Sequence, residues 1–201
     1  LDITDCRDLT SLQTVCFMVL FLQSSAKLST CYSYVGIALR TALRLGLHRS
    51  VTANFNPVER EMRKRVFWVI RKMDAHVSTV LGLPIMLRED DIDQDYPLNV
   101  DSEFISVHGI TPMPTDRTPL IAASIAHIRL TTITMKVVRY IYPVKTASRS
   151  MDQNYMVSHA KIRELERDLQ SWMEELPPAL RPGTEVSPQL ERYVFLGAVV
   201  V

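Results

Sequence analysis

Residues 57–84 read Pro57-Val-Glu-Arg-Glu-Met62-Arg-Lys-Arg-Val66-Phe-Trp68-Val-Ile70-Arg-Lys-Met73-Asp-Ala-His-Val77-Ser-Thr-Val80-Leu-Gly82-Leu-Pro84. Asn56 precedes them as a cap for the first unpaired amides, and Pro57 supplies a preset φ at the first helical position. Met62, Val66, Ile70, Met73, Val77 and Val80 recur at three- and four-residue spacing, the period of one buried helix face. Gly82 and Pro84 stop the helix. Trp68 falls on the other side, among Lys64, Arg71 and Lys72. A large aromatic ring among charges predicts a helix that touches neighbours on two faces.

The flanking segments extend the helical pattern. Leu9 to Leu22 is almost wholly apolar, too short to span a bilayer, and reads as a buried helix. Leu28 to Leu47 places Leu28, Tyr32, Val35, Leu39 and Ala42 on one face, Arg40 and Arg44 on the other, and Gly46 at the stop. From about residue 83 to 118 the periodicity is lost among Pro97, Pro112, Pro114 and an acidic cluster (Glu89, Asp90, Asp91, Asp93, Asp95). A connection of that length in a compact domain packs as an ordered arm. Its acids are placed to meet Arg63, Lys64 or Arg65. Thr118-Pro119 reads as the cap and first turn of a helix to Tyr142, and Ser150 to Leu176 as another, closed by Pro177 and Pro178. A last helix follows Pro182-Gly183. The expected fold is all-α, a single domain over residues 1–201. The opening at Leu1 and the stop inside the apolar run Val194–Val201 suggest an excerpt of a longer protein.

Composition narrows the function classes. The 201 residues carry 23 Lys and Arg against 22 Asp and Glu, 47% hydrophobic and 22% charged residues. That balance suits a globular domain and disfavours a chain binding nucleic acid through its whole surface. Three cysteines make no disulfide framework and contain no Cys-x-x-Cys. Cys16, inside an apolar run, is expected to behave as a small buried hydrophobe.

Tests for chemistry return little. Asp91-Ile-Asp93-Gln-Asp95 alternates carboxylates as a calcium loop does, but Tyr96 stands where the turn glycine belongs and Ser102 at the final carboxylate. The five histidines make no pair at metal-ligand spacing on one helix, and His127 sits in an apolar segment as a core residue would. No Gly-rich phosphate loop or Gly-x-Ser-x-Gly elbow occurs, so no cofactor, metal or catalytic residue is expected in this segment. The basic run Arg60 to Arg65 is interleaved with Glu59 and Glu61 and reads as a salt-bridged face.

Two stretches resemble a known family. Cys31-Tyr-Ser-Tyr34-Val-Gly36-Ile-Ala38-Leu-Arg40-Thr-Ala42-Leu-Arg-Leu45-Gly46-Leu47-His48-Arg49 resembles the hallmark of the fungal-specific transcription factor domain. Glu61-Met-Arg63-Lys-Arg65-Val-Phe67-Trp68-Val-Ile-Arg-Lys-Met-Asp74, then Leu81-Gly82-Leu-Pro84, resembles its second hallmark. The acidic run through Asp91 to Pro97 resembles the family's Asp-Ile-Asp and its proline. These motif residues have a structural reading first. Gly36, Ala38 and Ala42 would let a neighbouring helix approach, Phe67 and Trp68 would anchor the second helix, and Arg40 and Asp74 would pair internally unless each is simply solvated.

The resemblance implies the middle homology region of zinc binuclear cluster regulators. It implies a nuclear protein that controls transcription by RNA polymerase II of metabolic genes. Zinc and DNA contact would belong to a six-cysteine module N-terminal to this segment. It also implies co-regulator contacts, in some members a small-molecule inducer, and no catalysis. Homodimerisation is a further possible partner relation, and a membrane is not expected. The wording Leu22-Gln-Ser-Ser-Ala-Lys-Leu28 with Cys31-Tyr32 looks nearest to regulators of cutinase and fatty-acid catabolism genes. A helical interaction or dimerisation scaffold without ligand is the alternative. Methionines such as Met62, Met73, Met135 and Met173 could line an adaptable pocket, though they fill cores as often.

Overall fold

A computed structural model describes residues 7–50, 55–115, 117–143 and 157–183. The segment expected as a last helix lies outside them, as does Cys6. The described residues form α1 (Leu9–Ser24), α2 (Leu28–Arg44), α3 (Pro57–Leu81), a two-stranded hairpin of β1 (Ile105–Ser106) and β2 (Gly109–Ile110), α4 (Ile121–Ile141) and α5 (His159–Glu174). The all-α expectation holds, with one tiny antiparallel ribbon, Ile105 opposite Ile110, set in the arm.

α3 is built as its sequence dictates. Asn56 Oδ1 accepts from the Glu59 amide at 2.9 Å, satisfying a donor that the first turn leaves open. Gly82 ends the helix at φ +66°, a left-handed conformation that costs glycine nothing and a β-carbon about 1 kcal/mol. Val66, Ile70, Met73 and Val77 are buried against α1 and α2, together with Leu12, Val15, Val19, Val35 and Leu39, and form the main core. Val80, the last member of the predicted stripe, is exposed.

The opposite face of α3 is also buried. Trp68, Arg71 and Lys72 lie under the arm and α4. The two-sided helix expected from Trp68 is therefore present, and its charged side is an interior surface.

Several expectations need correction. α1 is buried along one face only: Phe17 and Phe21 stand exposed while Leu12, Val15, Cys16 and Val19 face the core. α4 is not capped by Thr118. It begins at Ile121, and the N–H of Leu120 is taken at 2.6 Å by Asp101 Oδ1, a side chain from the arm. The helix expected from Ser150 begins at His159, with Ser158 as its cap accepting from the Ala160 amide. Residue 157 is outside any helix and Ser158 is extended ahead of α5, and 144–156 lie outside the described residues.

α4 is long and apolar enough to cross a bilayer by length and composition. Here it runs between α3 and α5. Trp172 Nε1 donates to the Ala126 carbonyl at 2.8 Å, and Lys136 pairs with Asp168 at 2.7 Å and Glu164 at 3.6 Å. Arg129 reaches Glu175 at 2.6 Å. Two layers result: α1, α2 and the inner face of α3 make one, and the outer face of α3 with the arm, α4 and α5 makes the other.

Candidate functional site

The arm is fastened to α3 by side chains of the second motif. Trp68 Nε1 donates to the Asp95 carbonyl at 2.8 Å, and the Trp68 ring stacks on Tyr96 at 4.7 Å between centroids. Phe67, on the core side, meets the same indole edge-on at 5.4 Å. Glu61, itself buried, accepts on Oε1 from the Leu98 amide at 3.0 Å and from Arg65 Nε at 2.8 Å. Arg65 then donates to the Val100 carbonyl and Ser102 hydroxyl, while Lys64 pairs with Asp95 at 3.2 Å. The expected meeting of basic and acidic segments thus runs through Lys64 and Asp95, with Arg65 used on the arm backbone. Pro97 is buried between these contacts, whereas Asp91 is exposed in a short helical turn.

The end of the first motif joins the same assembly. Gly46, at φ +71°, turns the chain after α2 so that Leu47 enters the core. Arg63 Nη2 donates to the Leu45 carbonyl at 2.7 Å, and its guanidinium lies over Phe55. The His48 carbonyl accepts from the Asp93 amide, the Ser50 amide returns to the Asp93 carbonyl, and Arg49 and Asp93 form a parallel bridge. Gln94 Nε2 donates to the carbonyls of Leu47 and Arg49. The two motifs therefore meet through the backbone of the arm.

Asp74 is fully buried, but its partners are not those expected. Its carboxylate accepts from the Met86 amide at 3.1 Å and the Ser78 hydroxyl at 3.3 Å, holding the turn after Gly82, with Pro84 exposed at the bend. Its cation is Arg71, at 3.7 Å. Burial raises the Asp74 carboxyl above the ordinary carboxylate range, and the Met86 amide, Arg71 and Ser78 oppose that rise. Arg40 is exposed, and its guanidinium fills the space beside Gly36, where a β-carbon would meet it at 3.2 Å. Gly36 thus accommodates a side chain of its own helix, not a close neighbour. Ala38 and Ala42 are buried in the α1–α3 core, and Tyr34 packs against it.

Between α3, the arm and α4 lies a cavity of about 220 Å³. Trp68, Arg71 and Lys72 line it from α3, Glu89 and Tyr96 from the arm, and Ile128 and Met135 from α4. Burial brings the Lys72 ammonium down to about 8. Burial also lowers Arg71, with Asp74 and then Glu89 acting to raise it. His127, on the adjacent turn of α4, is lowered to about 4 by burial first and then by Lys72 and His76, so it is neutral at physiological pH. The four methionines proposed as pocket lining do not converge here: Met135 lines the cavity, Met73 lies in the core with Met62 packed against it, and Met173 is exposed.

Arg71 and Lys72 were legible only indirectly. Their spacing reads as a solvated helix face, and Trp68 between them and Lys64 was the one signal that this face is covered. Among the described residues no group of three or more His, Cys, Asp or Glu side chains gathers within reach of one metal ion. Cys16 and Cys31 are buried and outside any disulfide; Cys31 Sγ donates weakly to the Val19 carbonyl at 3.7 Å.

The described residues thus form an all-helical domain clasped by an arm, with a small charged cavity beneath it. The chain belongs to the fungal-specific transcription factor domain family, whose profile matches residues 2–174. It is 38% identical over 198 residues, 96% of this chain, to "Activator of stress genes 1" of Saccharomyces cerevisiae. It is 39% identical over 195 residues, 90% of this chain, to "Activator of stress genes protein 1" of Candida albicans. An "ABC-transporter-regulating transcription factor" of Aspergillus fumigatus is 31% identical over 180 residues, 89% of this chain. The chain spans about a fifth of the length of these relatives (20%, 20% and 19%). Their names concern stress genes and a transporter. No solved structure matches the chain significantly.

Proposed function

We propose that this chain is the regulatory middle region of a fungal zinc-cluster transcription factor acting in the nucleus on genes transcribed by RNA polymerase II. The observation that carries the reading is the family match over residues 2–174, on a fold in which both family motifs are spent on the clasp between α2, α3 and the arm. Motif residues used this way build a module. DNA contact and the zinc cluster belong to another part of the parent protein; buried Cys16 and Cys31 are unsuited to a shared cluster. The domain modulates activation through co-regulators and senses a small molecule in the cavity under the arm.

Deletion of this region from the parent regulator, with reporter transcription from its target promoters as the readout, tests the proposal. Regulated output becomes constitutive or is lost, while promoter occupancy persists. Unchanged regulation after the deletion overturns the reading.

A second reading, a dimerisation or protein-docking scaffold without ligand, is favoured by exposed Phe17 and Phe21, one turn apart on α1. Sedimentation of the wild-type chain and of a Phe17→Ser, Phe21→Ser variant separates the two: only a scaffold loses an associated state.

A further inference from the structure

Two neighbouring cations line the cavity beneath the arm. Arg71 is 4% exposed, and its Nη1 makes no hydrogen bond; the closest carboxylate, Asp74, stands at 3.7 Å and is engaged by Met86 and Ser78. Lys72, 6% exposed, lines the same space. A buried charge is tolerated where a partner compensates it, and a guanidinium nitrogen without a hydrogen bond is a donor prepared for an acceptor. The acid lining the cavity, Glu89, is exposed at its edge and acts on Arg71 after Asp74, leaving Lys72 and Arg71 as two cations against one acid in the wall.

The remaining wall is apolar and aromatic in its larger part, with Trp68 stacked on Tyr96 and then Ile92, Ile128 and Met135, and it carries the polar side chains of Gln94, Thr131 and Thr132. Fixed positive charge beside apolar surface suits a molecule with an anionic head and an apolar body. At about 220 Å³ the space falls below the roughly 300 Å³ of drug-sized sites and equals about seven waters of liquid, the scale of a small organic acid. A planar guanidinium fork matches a carboxylate better than a lone ammonium does.

We infer that the cavity binds a small amphipathic monocarboxylate, its head held by Arg71 and Lys72 and its body lying along Trp68, Ile128 and Met135. This rests on the sensing role in the proposed function and names the ligand class for it. Ligand would bridge α3 and α4 beneath the arm, coupling the two layers.

Calorimetric titration of the full 201-residue chain tests the site with hexanoate, its uncharged isostere hexanamide, and inorganic phosphate. Hexanoate is expected to bind at least about tenfold more tightly than hexanamide, with phosphate weaker still. Lys72→Met, which keeps the volume and removes the charge, lowers hexanoate affinity about tenfold or more with a melting temperature no lower than wild type. Met135→Trp fills the cavity and abolishes binding in a folded chain. Equal affinity for hexanoate and hexanamide overturns the inference, as does phosphate binding as tightly as hexanoate, or hexanoate binding that survives both variants. Absence of hexanoate binding to wild-type chain overturns it too. The regulatory reading fails separately, on reporter output: a neutral inducer that stabilises the chain would keep sensing and sink the carboxylate site, and hexanoate binding without transcriptional effect would do the reverse.

Discussion

Trp68 gives its indole N–H to the carbonyl of Asp95, 27 residues further along the chain, at 2.8 Å. This one bond, with Tyr96 stacked on the same ring, converts an irregular proline-rich stretch into a fixed cover for α3.

Replacing Trp68 by Phe keeps a ring for Tyr96 and removes the donor. The orphaned Asp95 carbonyl costs about 1 kcal/mol, with amide exchange accelerated first at residues 93–98. Trp68→Ala opens a cavity as well and costs about 3–5 kcal/mol by urea denaturation. A Trp68→Phe variant as stable as wild type, with unchanged exchange at residues 93–98, would show that the indole N–H does not matter.

Asp74 and Arg40 should behave oppositely. Asp74→Ala strands Arg71 in the interior and releases the Met86 turn, for a loss of about 3–5 kcal/mol. Arg40→Ala, on an exposed side chain, changes stability by less than about 0.5 kcal/mol. A double-mutant cycle between the two returns no coupling; coupling above about 0.5 kcal/mol would restore the pair expected from the sequence.

Glycine means different things at two motif positions. Gly36→Ala meets only the flexible tip of Arg40, which can swing into solvent, so the gain in helix propensity makes it neutral or stabilising by up to about 1 kcal/mol. Gly82→Ala must hold φ near +66° and destabilises by about 1 kcal/mol. Thermal melts of both variants decide the matter, and a destabilised Gly36→Ala would mean that a neighbouring element does crowd that glycine.

Stability should depend on pH through the cations of the cavity region. Lys72 drops from 10.5 to about 8 on folding, so between those values the unfolded chain holds the extra proton and stability rises with pH. The change is at most on the order of 3 kcal/mol. His127 drops from 6.5 to about 4, which makes stability fall as pH is lowered across that window. Denaturation midpoints of wild type and Lys72→Met, measured from pH 7.5 to 10.5, should converge at the alkaline end. A constant difference across that range would contradict a depressed Lys72.

The sequence made α3 legible because its signals are local: Asn56 caps three residues ahead, Gly82 stops the helix, and the apolar stripe repeats at helical period. α4 began elsewhere than expected because its first amide is satisfied by Asp101, 19 residues upstream, and no local pattern announces such a partner. The Arg40–Asp74 pairing failed for the same reason, since complementary charge does not specify geometry, and Asp74 found Arg71 one helical turn away. The cavity was the least legible feature. Arg71 and Lys72 alternate with the apolar stripe as solvated residues do, and only the fold of the arm encloses them.

The latches between α3 and the arm lie in reverse order. Asp74 holds Met86, Trp68 holds Asp95 and Glu61 holds Leu98, at separations of 12, 27 and 37 residues. Each latch therefore shortens the loop that the next must close, so the later closures add little entropy cost. Such an arm assembles like a zipper from the turn after Gly82. Tension drawn through α4 reaches the Arg65 bonds to Ser102 and Val100 before Leu98, and Met86 last, so the arm peels one latch at a time and the cavity opens at Tyr96 while the turn at Asp74 still stands.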